Sequence, residues 1–138
     1  MTRHIRFIAT TFVFTVFTFT AAAMAQSFTG NWPATVTRSQ RSNGTDCISL
    51  TDNGSYGAPH SGPASMMSNG NPVSGYFTVV NGIMTISFSY PSGEGDCCDY
   101  QVFTAHASKG QIGNGVYNYF GITDIGVLTF GKKDSCSN

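Results

Sequence analysis

The feature that most limits the fold is a segment that forms a two-faced ribbon when the chain is folded at Asn81-Gly82. This register places Val79 opposite Met84 and continues outward along both arms. One face then carries the larger apolar side chains, and the other is mostly Ser and Thr; the apolar face consists of Val73, Phe77, Val79, Met84, Ile86, Phe88 and Tyr90. Because a slip of one residue would scramble both faces, the pattern predicts a β-hairpin in this register.

Asn-Gly dipeptides mark the predicted turns. They occur at Asn43-Gly44, Asn53-Gly54, Asn69-Gly70, Asn81-Gly82 and Asn114-Gly115. Both residue types accept the positive φ that a two-residue type I′ turn needs at its two central positions. No segment after residue 25 has apolar residues at helical spacing over three turns. We therefore expect a chain that is almost free of helix.

The same alternation predicts eight strands, most of them joined by short turns. They are Phe28–Val36, Thr45–Thr51, Tyr56–Met66, Val73–Val80, Ile83–Tyr90, Tyr100–Ala107, Gln111–Phe120 and Ile125–Lys132. Strands joined by tight turns are antiparallel neighbours, and closing the sheet removes both of its edges. The sequence thus predicts an all-β, eight-stranded antiparallel up-and-down barrel. The longer loops at Thr37–Gly44 and Pro91–Asp99 leave a two-sheet β-sandwich as the alternative.

The N-terminal segment has the layout of a secretory signal peptide. A basic start precedes an uncharged run from Phe7 to Ala23, and Ala23-Met24-Ala25 supplies small residues for cleavage before Gln26. An uncleaved anchor is the alternative, but this Thr-rich run is shorter than the roughly 20 apolar residues that a span needs. We expect a signal peptide at residues 1–25, one β-barrel domain at 26–138, and a secreted or periplasmic protein without membrane attachment after cleavage.

The composition excludes two broad classes of protein. Charged residues make up 10% of the chain, against roughly 25% in ordinary globular proteins, so a nucleic-acid binder that works through a basic patch is excluded. The 11 Phe and 6 Tyr residues are too many for a disordered chain. Loss of the leader removes Arg3 and Arg6, which leaves the remaining domain mildly acidic.

All four cysteines follow the leader, which favours disulfides in an oxidising compartment. They are Cys47, Cys97, Cys98 and Cys136. Adjacent cysteines more often reach separate partners, so we expect Cys97 and Cys98 to bind Cys47 and Cys136, in an order that stays open. The Cys-x-x-Cys spacing of zinc sites is missing, and the acidic segment Ser92–Asp99 lacks the spacing of an EF-hand. No metal site and no cofactor are therefore expected.

Catalytic motifs are also missing from the sequence. His60 and His106 are the candidate bases, but no Gly-x-Ser-x-Gly elbow accompanies them and phosphate-cradling motifs are absent. We therefore expect a protein that is not an enzyme. An enzyme that uses either histidine and a purely structural envelope protein are the less favoured alternatives.

The apolar hairpin face is the candidate binding surface. In a closed barrel these side chains point inward, and eight strands enclose an interior that either packs solid or holds one small ligand. The predicted ligand-binding or core residues are Phe77, Val79, Met84, Ile86, Phe88 and Tyr90. We expect an exported binding protein for a small apolar ligand or a protein partner, with a packed interior as the safer reading.

The first predicted strand carries Gly30-Asn31-Trp32, and this Gly-x-Trp resembles the opening of the calycin barrels. The resemblance implies that Trp32 closes one barrel end against the last strand. Avidin-like biotin binding would need further tryptophans, and lipocalin-like transport would need a longer chain with a helix. Trp32 is the one tryptophan here, and no such helix follows the predicted strands.

Among calycin-like proteins, the chain most resembles the secreted bacterial metalloprotease-inhibitor barrels. Those barrels follow Gly-x-Trp with a Cys and an Ile-x-Leu strand, which reads Cys47-Ile48-Ser49-Leu50 here. The resemblance covers about 25 residues, and the Cys97-Cys98 pair departs from it. It implies, as an alternative function, inhibition of a secreted or periplasmic protease by insertion of Gln26, Ser27 and Phe28.

Overall fold

A computed structural model describes residues 26–40, 42–54, 59–68, 70–90, 100–120 and 124–136. Within these ranges the chain forms strands and no helix, hence no helix that could span a membrane. The strands are β1 (Gly30–Arg38), β2 (Gly44–Leu50), β3 (Ser61–Ser68), β4 (Asn71–Val80), β5 (Ile83–Ser89), β6 (Tyr100–Ser108), β7 (Gln111–Tyr119) and β8 (Asp124–Phe130). The predicted leader and the Ser92–Asp99 segment lie outside the described residues.

The eight strands form one closed antiparallel barrel in chain order. Each strand pairs with the next, and β1 pairs with β8 from Ala34 opposite Phe130 to Arg38 opposite Gly126. This last ladder confirms the predicted up-and-down barrel. The alternative β-sandwich is wrong, because its two sheets would have left the first and last strands as separate edges.

All eight predicted strands are present, with shifted ends. β1 continues to Arg38, two residues beyond the predicted end, and β3 begins at Ser61 rather than at Tyr56. Pro59 lacks the N–H group that a strand ladder needs, which fits the late start of β3. β8 ends at Phe130, two residues before the predicted end.

The β4–β5 hairpin has the predicted turn and register. Asn81 and Gly82 have φ values of 50° and 75°, as a type I′ turn requires. The ladder runs from Gly75 opposite Phe88 to Val80 opposite Ile83. The predicted register also brings Val73 opposite Tyr90, and this outermost pair lies beyond the ladder. Of the Asn-Gly dipeptides, Asn114-Gly115 lies inside β7, next to a bulge opposite His106.

Alternate side chains from the strands fill the barrel. Their rings contact one another edge to face or tilted, with Phe103 at 5.8 Å from Phe88 and 5.6 Å from Tyr117 between ring centroids. The buried apolar residues of the strands are Trp32, Ala34, Val36, Ile48, Leu50, Ala64, Met66, Val73, Phe77, Met84, Ile86, Phe88, Phe103, Ala105, Ala107, Ile112, Tyr117, Tyr119, Leu128 and Phe130. The predicted inward face of the hairpin thus belongs to a packed core.

One end of the barrel, here called the closed end, is covered by the segment 26–29 that precedes β1. Phe28 is 2% exposed, and its carbonyl accepts a hydrogen bond of 3.0 Å from the indole N–H of Trp32. The Phe28 N–H donates to the Asp52 carboxylate, also at 3.0 Å, from the β2–β3 connection. Gln26 lies against Gly110 in the β6–β7 turn. The segment therefore crosses the barrel mouth and inserts one aromatic ring into it.

The structure corrects the predicted disulfide pairing. Cys47 bonds to Cys136, with the Cα atoms 5.8 Å apart, so neither bonds to Cys97 or Cys98 as expected. The physical reason is the path of the chain after β8. There the Gly131 N–H donates to the carbonyl of Pro33 on β1, and Pro33 lies opposite Cys47 on β2. This tail brings Cys136 to β2. Cys97 and Cys98 themselves lie outside the described residues.

Truncation of the ring that covers the closed end should destabilise the barrel. We expect Phe28→Ala to lower the free energy of unfolding by about 3 to 5 kcal/mol, as for other buried phenylalanines. Phe120→Ala removes the same atoms from an exposed side chain and should change it by less than about 0.5 kcal/mol. Urea unfolding of both variants checks this, and equal effects would show that Phe28 does not close the barrel.

Candidate ligand-binding site

At the end of the barrel opposite the closed end, the inward-facing positions change from apolar to polar. On β1 every second side chain points into the barrel, and after the apolar Trp32, Ala34 and Val36 the next such residue is Arg38. Gln101 on β6 is 2% exposed, and Asp124 at the start of β8 is 0% exposed. We call this end, where β1, β3, β5 and β7 finish, the polar end.

A cavity of about 140 Å³ opens at the polar end. It is lined by Arg38, Asp46, Met66, Ser68, Tyr90, Gln101, Tyr117 and Tyr119. This volume corresponds to roughly four or five water molecules at their volume in the liquid. It therefore admits one small molecule or the end of a larger one.

A glycine on β8 lies between Arg38 on β1 and Tyr117 on β7. The backbone of Arg38 lies opposite Gly126 on β8, and Gly126 lies opposite Tyr117 on β7. The guanidinium carbon stands 5.3 Å from the centre of the Tyr117 ring, a cation–π contact. A side chain at Gly126 would clash with the Thr37 carbonyl oxygen, so glycine also allows the strands to come this close.

Hydrogen bonds hold Arg38 at its backbone N–H and at both terminal guanidinium nitrogens. Nη1 donates to the Ser42 carbonyl at 2.9 Å, and Nη2 lies 3.5 Å from the Asp46 carboxylate. The backbone N–H donates to the Asn43 side chain at 2.9 Å. Nε is buried, and no partner for it occurs in the part of the chain that the structure describes. The site thus holds a guanidinium that is fixed through Nη1 and Nη2.

Two carboxylates near Arg38 differ in their electrostatics. Burial raises the pKa of Asp46 and outweighs the attraction of Arg38. Burial also acts to raise the pKa of Asp124, but there it is outweighed. Hydrogen bonds from the Ser39 hydroxyl and from the backbone N–H groups of Gln40 and Ser39, with the charge of Arg38, hold that pKa below its usual value. Asp124 is therefore the more firmly ionised of the two.

Tyrosine rings form the rest of the wall. The Tyr90 hydroxyl donates to the side-chain oxygen of Gln101 at 2.6 Å, which fixes the orientation of the buried amide. The Tyr90 and Tyr119 rings lie 6.0 Å apart between centroids in an edge-to-face arrangement. The cavity thus combines a cation, a carboxylate, an amide and tyrosine side chains in a wall that is almost entirely polar.

The barrel wall is incomplete beside this cavity. β2 and β3 pair only at Ser49 opposite Ser65 and at Leu50 opposite Ala64, so the strands separate toward the polar end. A groove of about 520 Å³ lies outside this seam, lined by Asn31, Cys47, Ser49, Ser65, Met66, Met67, Pro72, Asp134 and Cys136. Met66 borders both the groove and the cavity, which places it between the outer surface and the interior.

The six residues predicted to bind a ligand occupy different places. Phe77, Met84, Ile86 and Phe88 lie in the packed core, and Val79 packs against that core from a half-buried position. Tyr90 is the one of the six that borders the polar-end cavity. Ligand binding by this set stays a prediction.

The other residues that line the cavity were not predicted from the sequence, although one signal for them was present. Arg38 follows the inward phase of β1, and Gln101 stands in the inward phase with Phe103. Polar residues at inward-facing positions of a strand whose other inward-facing residues are apolar indicate either a barrel rim or a binding site. Only the packing distinguishes the two, because it shows both side chains turned inward and largely buried.

His60, one of the two candidate bases, lies at the closed end, away from the cavity. Its Nδ1 is 2.7 Å from the carboxylate of Asp52, and its ring packs edge to face on Phe28 at 5.1 Å. The side chain of Asp52 is buried, and its carboxylate also accepts from the N–H groups of Phe28 and Gly54. The pair therefore anchors the segment that closes the barrel. His106 is exposed on β6, and no cluster of three metal-ligating side chains occurs among the described residues.

Comparison with known proteins provides no relative from which to infer a function. No family model, no curated protein and no solved structure matches this chain. A function for this chain is therefore inferred from the geometry of the barrel itself.

Asp52→Asn should weaken the fold in a pH-dependent way. Burial acts to raise the pKa of Asp52, but hydrogen bonds from Phe28, Gly54 and His60 hold it below the usual value. The carboxylate therefore stabilises the fold above about pH 3.9, and this contribution is lost as the pH falls toward the lower folded-state pKa.

For this variant we expect a loss of about 1.5 to 3 kcal/mol near neutral pH, the usual range for hydrogen bonds to a charged group. Urea unfolding across the acidic range measures the difference between the two proteins. The difference should shrink toward acid; a gap that stays constant would mean that the charge of Asp52 is not involved.

The open seam should be visible in hydrogen exchange. Just after β2, the Thr51 N–H donates to the Pro63 carbonyl on β3. Successive N–H groups of an antiparallel strand point to opposite sides, so those of Thr45 and Cys47 point toward β3 as that of Thr51 does. At Thr45 and Cys47, however, β3 has already separated from β2. We expect the amides of Thr45, Cys47 and Met67 to exchange much faster than that of Thr51. NMR-detected exchange checks this, and equally slow exchange at all four would mean that the seam is closed in solution.

Proposed function

We propose that this protein is an exported, non-enzymatic binding protein that holds one small polar molecule in the cavity at the polar end of its barrel. The observation that carries the proposal is a cavity whose wall combines Arg38, Asp46 and Gln101, three polar side chains at one end of an otherwise apolar barrel interior. Burial of polar side chains costs free energy, and hydrogen bonds to a bound polar molecule recover part of that cost.

The location of the polar groups supports a binding role. The same strands fill the rest of the barrel with apolar side chains, and apolar residues at positions 38 and 101 would extend that core at lower desolvation cost. Departures from the pattern that best stabilises a fold concentrate at functional sites. Arg38 and Gln101 are such departures, and both border the cavity.

The proposed ligand is polar, whereas the sequence favoured an apolar one. The apolar hairpin side chains pack against each other in the core, and the cavity is bounded mainly by charged, amide and phenolic groups. An apolar ligand could form no hydrogen bond with any of those groups.

Binding of a protein partner is the second candidate function. It is favoured by an exposed apolar strip on the outer face of β7 and β8, where Val116 lies opposite Val127 and Ile125 follows on β8. Contiguous apolar surface of this kind marks protein contacts more often than isolated exposed side chains do.

Inhibition of a protease has less support. Of the three residues that would insert into a protease, Phe28 is buried in the closed end, and only Gln26 and Ser27 are exposed. Insertion of the complete segment would require Phe28 to leave the core and to break its contacts with Trp32 and Asp52.

Export and a calycin-like relationship belong to the same proposal. The Cys47–Cys136 disulfide is of the kind that persists in oxidising compartments, which supports the secretory reading of residues 1–25. For the calycin resemblance, the support is a closed eight-stranded barrel in which the Gly-x-Trp tryptophan, Trp32, is wholly buried near one end.

Native mass spectrometry tests the proposed function. Protein isolated from its export compartment should carry an additional small mass, and protein refolded from denaturant should not. Gln101→Leu should lose that mass because it removes the amide from the cavity wall. Gln111→Leu makes the same change at an exposed position and should retain it. A bare polypeptide from the export compartment, or equal retention by both variants, would contradict the proposal.

A further inference from the structure

We infer that the seam between β2 and β3 is a binding site for an extended peptide segment of a partner protein, which pairs with the edge of β2 as a further strand. The seam lies in the barrel wall beside the polar-end cavity, and the inference does not depend on the small molecule proposed above. Its basis is an incomplete backbone ladder that borders an outer groove of about 520 Å³.

The backbone of β2 carries donors and acceptors that the β2–β3 ladder does not use. Toward the polar end this ladder stops at Ser49 opposite Ser65, although the same register would bring Cys47 opposite Met67. Successive residues of an antiparallel strand direct their N–H and C=O groups to opposite sides, so Thr45 and Cys47 direct theirs toward the seam, as Ser49 does. Met67 does the same from β3.

Both edges of the seam are preformed. On its far side β2 pairs with β1 along its whole length, and the Cys47–Cys136 disulfide ties it to the tail that follows β8. On its own far side β3 pairs with β4 at every residue from Ser61 to Ser68. Each strand is therefore already extended where it borders the seam, and a partner that pairs with it pays little for ordering this protein.

An extended peptide is the ligand whose chemistry matches such an edge. Its N–H and C=O groups alternate at the spacing of a strand, so its backbone forms a ladder with residues 44–47. Natural sheet edges are commonly protected against pairing by lysine or proline, and residues 44–47 contain neither.

The groove beside the seam determines which side chains the peptide carries. Met67 is 57% exposed, and it lines the groove together with Pro72 on β4. Alternate side chains of a bound strand point to the same face, so every second residue of the peptide lies over these two side chains. Apolar residues at alternate positions are therefore the preferred sequence.

Selection from a pooled library of capped seven-residue peptides, with alternate positions varied among apolar residues, tests the inference when NMR of the folded protein follows. At least one peptide should saturably shift the backbone amides of Thr45, Cys47 and Met67 and slow their hydrogen exchange at least about tenfold. The amides of Val116 and Val127, in the outer apolar strip, should stay unchanged. N-methylation of the peptide nitrogens that face β2 should weaken binding at least about tenfold, because it removes the donors of the ladder.

Variants connect the binding to the edge of β2. Thr45→Pro removes an N–H that faces the seam, a position at which a strand tolerates proline, and should weaken the selected peptide at least about tenfold. Thr45→Ala keeps the N–H and should bind the peptide as the unmodified protein does. Met67→Ser leaves every backbone group in place and should weaken binding about fivefold, whereas Val80→Ser changes an equally exposed apolar side chain elsewhere and should not.

Three results would overturn the inference. One is that no peptide of the library binds. Another is that the selected peptide shifts the amides of Val116 and Val127 instead, which would place the peptide on the outer strip. The third is binding that neither N-methylation nor Thr45→Pro weakens, which would show side-chain contact without strand pairing. The small additional mass that the proposed function predicts is measured separately, so either idea can fail while the other stands.

Discussion

The pairing of β1 with β8 is the constraint on which the rest of the structure depends. Alternation of apolar and polar residues along the strands gives a sheet with one apolar face, but such a sheet still has two unpaired edge strands. The ladder from Ala34–Phe130 to Arg38–Gly126 removes those edges and turns the apolar face into an interior. A chain with only 10% charged residues can then bury its rings in one core.

Closure also determines which polar groups are buried. Once the strands share one inward phase, the inward residue at each strand end points into the barrel whatever its chemistry. At the closed end this residue is Trp32, and the inserted Phe28 covers the opening. At the opposite end the inward residues are Arg38 and Gln101, which produces a polar cavity. One geometric rule therefore explains both the apolar core and the candidate site.

Local signals explain what could be predicted from the sequence. The β4–β5 register follows from one turn and two short alternating arms, so neighbouring residues sufficed. The Cys47–Cys136 bond depends on where the tail runs after β8, a nonlocal property that the spacing of cysteines does not encode. The alternation along β1 already indicates in the sequence that Arg38 faces inward. Its contact with Tyr117 is nonlocal, because it exists only where the closed sheet places Gly126 between the two residues.

The most direct test of barrel closure is an NMR search for cross-strand nuclear Overhauser effects between β1 and β8. Closure predicts backbone contacts between Thr35 and Thr129 and between Val36 and Leu128, with the β4–β5 hairpin as the internal reference. Strong hairpin contacts without any between β1 and β8 would contradict it. The sheet would then be open, and the residues at the polar end would not enclose a cavity.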